Sequence, residues 1–162
     1  LMKPTDIDDA AFIFELFNAP KWIKYIGDRN IASVEQARDY IVERMTPQLE
    51  RLGYSSYTLI KNDDQQKIGV CGLYDREGLD GIDLGFALLP RYEQHGFAFE
   101  ASQKLIAAAF KEFGMDRLLA ITMRENVASQ KLLDKLGFRQ VSSKRLVEDQ
   151  EELLVYELKS ST

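Results

Sequence analysis

Apolar residues recur at helical spacing in "TDIDDAAFIFELFN", where Ala10, Ile13, Phe14 and Phe17 share one face. Thr5 or Asp6 stands ready to cap that helix. A second helical region spans "SVEQARDYIVERMTPQLERLG", with Ser33 as N-cap and Gln36 three residues on, a capping-box pattern. Pro47 is expected to bend or restart it. The period then changes. "YSSYTLIK" and "QKIGVCGLYD" read as strands around the turn "NDDQ", a hairpin, and "GIDLGFALL" reads as a third strand. Gly85 inside that strand predicts a bulge or a close backbone approach. A long helix follows, with Ala98, Ala101, Leu105, Ala109 and Phe113 on one face and Gly114 as its stop. "DRLLAITM" is a strand and "ENVASQKLLDKLG" a helix running from Asn126 to Gly137. "FRQVSSKRLV" and "EELLVYELK" form a terminal hairpin. Leu1 and Met2 read as the tail of a further strand, whose start is expected upstream. The order predicts an α+β fold, a mixed sheet with helices on both faces.

Composition narrows this picture only a little. The 162 residues suffice for one domain, expected over 1–162. The net charge of -5 argues against a nucleic-acid surface, which needs a basic patch, and is compatible with a cationic substrate. The single cysteine, Cys71, makes no internal disulfide, and no Cys/His cluster offers a metal site, so no metal is expected. Cys71 reads as a buried thiol rather than a nucleophile, since the only histidine, His95, lies far along the chain. No apolar run is long enough to span a membrane, and no signal peptide is visible, so a cytoplasmic location is expected.

The chemistry concentrates where the third strand gives way to the long helix, at "PRYEQHGFAFEA". A turn built around Gly96 can present several backbone N–H groups at a helix start, which attracts anions. Taken alone, Gly96 is equally well explained as a tight chain reversal. The strand and helix that follow directly, "ITMRENVASQKLLDKLGF", favour a ligand held between two neighbouring strands.

The stretch from "LGFALLPRYEQHGFAFEA" to "DKLGF" resembles the coenzyme-binding core of the GNAT N-acetyltransferases, and within them the RimJ/RimL-type branch. The family's phosphate-loop pattern, Gln/Arg-x-x-Gly-x-Gly/Ala, is matched by Glu93 to Ala98. Asn-x-x-Ser is matched by Asn126 to Ser129, and Lys-Leu-Gly-Phe by Lys135 to Phe138. Glu93 departs from the pattern, and Gln94 stands where a small residue is common. Glu93 is expected to turn its carboxylate to solvent.

The resemblance implies an acetyl-CoA-dependent N-acetyltransferase that acts by direct attack of a primary amine, on a protein N-terminus or a small molecule. Gln94, His95, Gly96, Phe97 and Ala98 are expected at the pyrophosphate. The pantetheine amides pair like a strand where "FALL" and "LLAIT" diverge, and an N–H at Leu88 or Leu89 serves the thioester carbonyl. Many family members carry a tyrosine acid at the position of Leu133. The acid or thiolate donor here is then Ser129, unless it merely bonds its own backbone. Asn126 either caps the helix or orders the pantetheine or a water. Asp83 is the candidate base, on the face of Gly85 and Ala87, against a plain salt-bridged aspartate. His95 is set aside as base because it sits by the phosphates. The acceptor pocket is expected from "FNAPKWIKYIGDRN", with Trp22, Tyr25 and Asp28, which are otherwise ordinary core and loop residues. An oligomer is compatible with the sequence. The alternatives are an acyl-CoA sensor without turnover and a purely structural domain.

Overall fold

The computed structural model describes residues 1–146 and 151–161. Val147, the last residue of "FRQVSSKRLV", lies outside the described residues, as does Thr162. Seven strands form one sheet in the order β1-β2-β3-β4-β5-β7-β6. They are β1 (Met2–Pro4), β2 (Ser56–Ile60), β3 (Lys67–Asp75), β4 (Ile82–Leu88), β5 (Arg117–Met123), β6 (Arg139–Lys144) and β7 (Leu153–Lys159). Every neighbouring pair is antiparallel except β4 and β5. The α+β class expected from the pattern is the one observed.

Helices α5 (Phe97–Lys111) and α6 (Val127–Leu136) cover one face, packing Ala101, Leu105, Ala109 and Leu133 on Cys71, Leu73, Leu84 and Leu118. On the other face α1 (Ala10–Phe17), α3 (Val34–Tyr40) and the turn that follows it set Ile13, Leu16, Ala37 and Ile41 against Val70 and Leu89. Strand alternation sends Cys71 and Leu73 to the first face and Val70 to the second. Burial of the leucine, isoleucine and valine side chains among these is worth roughly 1.5–3 kcal/mol each and holds the sheet between its two layers. Cys71 is fully buried, 3.8 Å from the Ser102 hydroxyl, and burial pushes its thiol up to about 12. It is an inert core residue, as its setting in "IGVCGLY" suggested.

Local signals resolve in detail. Asp6, not Thr5, caps the first helical turn of the chain. Its carboxylate accepts from the Asp8 N–H at 2.9 Å, while Asp9 accepts from the Asp6 N–H at 3.0 Å. The chain enters α1 through a short 3-10 turn, Ile7–Asp9. Ser33 Oγ accepts from the Gln36 N–H at 3.1 Å, but the Gln36 side chain reaches back to the Ala32 N–H rather than to Ser33. Pro47 has no N–H to offer the preceding turn. The expected single helix is accordingly three pieces: α3, a π-helical turn at Ile41–Met45, and α4 (Thr46–Leu52). A further short helix, α2 (Pro20–Tyr25), forms where only a connection was expected.

Candidate active site

Strands β4 and β5 pair at one position only, Asp83 with Leu119. Beyond it they part, and the sheet opens between Phe86–Leu88 on one side and Ile121–Met123 on the other. Leu89 donates its N–H to the Ile68 carbonyl at 2.9 Å. Its donor is therefore committed to β3. In an antiparallel ladder the next residue faces the opposite way. The N–H and C=O groups of Leu88 and Phe86 therefore face the opening, so of Leu88 and Leu89 only Leu88 turns its N–H toward it.

The opening ends at the start of α5. Gly96 caps that helix at φ +82°, in the left-handed region that favours glycine, and no atom lies within 4 Å of where its Cβ would stand. The first helical bond runs from the Glu100 N–H to the Gly96 carbonyl at 3.0 Å. The N–H groups of Phe97, Ala98 and Phe99 precede it and have no helical partner. Gln94 is also left-handed, at φ +64°. That conformation explains why a small residue is common there: a side chain costs roughly 1–2 kcal/mol in this region. Gln94, His95 and Gly96 are exposed. Glu93 does not turn to free solvent as expected. Its carboxylate pairs with Lys21 of α2, which offsets its charge beside the loop. An anion cradle with donors, room and a helix dipole fits a pyrophosphate, and the parted strands fit an extended amide-bearing arm.

On the α1–α3 face of the sheet, β3 and β4 align Gly72 with Gly85 and Tyr74 with Asp83. The Tyr74 ring lies across the two glycines. A Cβ at Gly72 would come within 2.6 Å of its Cζ, and one at Gly85 within 2.8 Å of its Cε2. Neither the bulge nor the backbone approach expected at Gly85 is found: the register is regular, and the missing side chain makes room for a ring instead. Burial pushes the Tyr74 phenol well above its ordinary range. Arg76 follows two residues on, with its guanidinium carbon 5.1 Å from the Tyr74 ring centroid. Its Nε donates to both carboxylate oxygens of Asp83, at 3.0 and 3.1 Å.

Asp83 is on the expected face, but it is 0% exposed and sealed by Arg76. An amine cannot touch its oxygens in this arrangement. Burial pushes the Asp83 carboxyl up to about 6, and the Arg76 guanidinium opposes that rise. The pair is therefore ionised at neutral pH. Because the folded state holds this proton more tightly than the unfolded chain, protonated Asp83 favours the fold at low pH. That contribution is lost as pH rises from about 3.8 to about 6. Urea unfolding of the parent and Asp83→Asn across pH 4–7 checks this: the parent's stability relative to the variant is expected to fall as pH rises. A constant difference would mean that Asp83 does not titrate in this range.

At the start of α6, Asn126 accepts from the Ser129 N–H at 3.2 Å and caps the helix. Ser129 is half-buried, and its hydroxyl bonds to no described residue. Leu133 is 1% exposed in the core, so its position offers no proton donor.

The three expected acceptor residues separate. Trp22 stacks on Phe17 at 4.0 Å and joins the core beneath α1, with its indole N–H buried and unbonded among the described residues. Tyr25 lies under the Lys24 ammonium. Asp28 lines a groove of about 660 Å³ between the 28–30 loop, α3 with its π turn, and Arg76. Most of this groove was not anticipated. Gln36, Tyr40, Glu43 and Arg44 follow helical spacing, and Arg76 is in phase with Tyr74 along the strand. Those two periodicities were the available signal. Among the described residues no His/Cys/Asp/Glu group could hold a metal ion, and no helix is long and apolar enough to cross a membrane.

The family profile described as "Acetyltransferase (GNAT) domain" matches residues 1–139. The uncharacterized N-acetyltransferase p20 of Bacillus licheniformis is 30% identical over 141 residues, covering 85% of this chain and 78% of that protein. Among solved structures, spermidine N-acetyltransferase from Vibrio cholerae, in complex with CoA and spermine, superposes with a TM-score of 0.80. It is 13% identical, over 99% of this chain and 95% of that one. Ribosomal-protein-S5-alanine acetyltransferase from Vibrio fischeri superposes with a TM-score of 0.74 at 16% identity, over 99% and 92%. The parted strands, the loop at Gly96 and the match over most of its length place this chain in the GNAT family of N-acetyltransferases.

Proposed function

We propose that this chain moves the acetyl group of acetyl-CoA to a primary amine by direct attack. The observation that carries this is the gap between β4 and β5, which ends at the unpaired N–H groups of the 94–99 turn. Gln94, His95, Gly96, Phe97 and Ala98 hold the pyrophosphate, and Phe86 and Leu88 offer strand-like bonds to the pantetheine. Bound acetyl-CoA supplies an activated acyl group and a thiol leaving group. Leu88 N–H is the donor for the developing charge on oxygen. Ser129, with its hydroxyl uncommitted, donates to the departing sulfur, and Asn126 holds the helix turn that carries it.

The amine must lose a proton before it attacks. Asp83 is closed to it, so water in the groove takes that proton, and Asp83 acts by holding Arg76. The rate is expected to rise with pH and then level off. Asp83→Asn should lower the height of that profile and leave its midpoint in place. Loss or displacement of the midpoint would restore Asp83 as the proton acceptor.

The RimJ/RimL-type motifs are compatible with a protein N-terminus as well as with a small amine. The spermidine neighbour shows that the same fold serves small amines. A thiol-release screen with acetyl-CoA, diverse amines and N-terminal peptides tests the whole reading. The core position of Leu133 favours a second reading, a sensor that binds acyl-CoA without turnover. Coenzyme binding with no thiol release from any acceptor would select it.

A further inference from the structure

The groove beside Asp83 carries both signs of charge. Asp28, Asp39 and Glu43 line it, as do Arg29, Arg44 and Arg76. Among the described residues, neither Arg29 nor Arg44 has an acid within 4.0 Å, so neither guanidinium is held in a direct ion pair. Arg76 is the informative member. It is held from behind, its Nε on Asp83 and its guanidinium carbon over the Tyr74 ring. Neither of its terminal Nη groups bonds to a described residue, and the side chain is still 32% exposed, at the groove. An arginine buttressed through Nε and open at its Nη pair is a fork preorganised for a planar anion. A simple polyamine would bring like charge to that open Nη pair and leave it without a partner, whereas a carboxylate would fill it.

We propose that the acceptor is an amino-carboxylate, a small molecule bearing a carboxylate as well as the amine that is acetylated. The carboxylate sits on the Nη groups of Arg76, with Arg44 and Arg29 adding attraction. Asp28, Asp39 and Glu43 draw in the ammonium end. The Gly72–Gly85 pair serves this arrangement, because only that flat bed lets Tyr74 lie down and fix the guanidinium. Arg76 is thus a specificity-determining residue. This inference rests on the acetyl-transfer reading above.

The test uses straight-chain amino acids from glycine to 6-aminohexanoate, their primary amides, and diamines of the same lengths, each assayed by thiol release with acetyl-CoA. At the preferred length the carboxylate is expected to exceed its amide in kcat/KM by about tenfold to a hundredfold, as for a charged hydrogen-bonded contact. Arg76→Lys, which keeps the charge beside Asp83, and Arg44→Gln, on an exposed helix face, should each shrink that ratio. Amides or diamines that equal or exceed the carboxylates at every length would overturn the proposal. So would a ratio that neither variant moves. Saturation-transfer NMR of the same compounds separates the two readings. Carboxylates that bind without thiol release would overturn acetyl transfer and leave the groove's ligand class standing. Failure of every carboxylate to bind would overturn the ligand class itself.

Discussion

Replacing Ser129 with alanine is expected to lower turnover about 10²- to 10⁴-fold, the usual range for a general acid, with little change in KM for acetyl-CoA. The structure sharpens the reason. Ser129 contributes its backbone N–H to the cap formed by Asn126, a bond at 3.2 Å that alanine would keep. Its hydroxyl makes no bond to a described residue, so removing it leaves no buried donor or acceptor stranded. The fold should hardly notice, and any loss is then chemical. Asn126→Ala is the contrast. It removes the cap itself and should cost about 1 kcal/mol in stability. Single-turnover rates for both variants, beside their denaturation midpoints, distinguish the two roles. An unchanged chemical step in Ser129→Ala would remove Ser129 from catalysis and leave it only its backbone N–H on the Asn126 cap.

Gly96→Asp is expected to weaken acetyl-CoA binding at least about tenfold, or roughly 1.4 kcal/mol. Two effects add. At φ +82° any side chain except Asn or Asp is strained, and even these give up some of glycine's freedom. The carboxylate also brings negative charge to the turn that is to hold a pyrophosphate. Gly96→Asn isolates the second effect. Nothing stands within 4 Å of the Cβ position, so both variants should fold. Calorimetry is expected to show Asn near the parent and Asp clearly weaker. Equal affinities for the two would move the phosphates away from residues 94–98.

Much of this fold was legible because local rules and tertiary packing agree. The apolar period of α5 and α6, the αL stops and the hairpin turn are written in neighbouring residues, and each element follows its own signal. The second helical region is instructive. Pro47 announced a disturbance, but a π turn over Ile41–Met45 rather than a simple bend keeps both Ile41 and Met45 buried. Which irregularity satisfies both demands depends on the sheet face below, and that is not a local property.

By itself the sequence determined the α+β order, the family through its Gly96 and Asn126–Ser129 motifs, and the buried state of Cys71. Those features depend on residues close together in the chain. Only the tertiary structure decided what Asp83 does. Whether a carboxylate is an open base or the anchor of an arginine depends on the cross-strand register that sets Tyr74 opposite it and brings Arg76 over it. It likewise decided that Glu93 meets Lys21, 72 residues away, and that Leu89 spends its N–H on Ile68 while Leu88 does not. Three arginines from three separate segments meet in one groove for the same reason. Side-chain charge is local, but the partner that gives it meaning is chosen by packing across the fold.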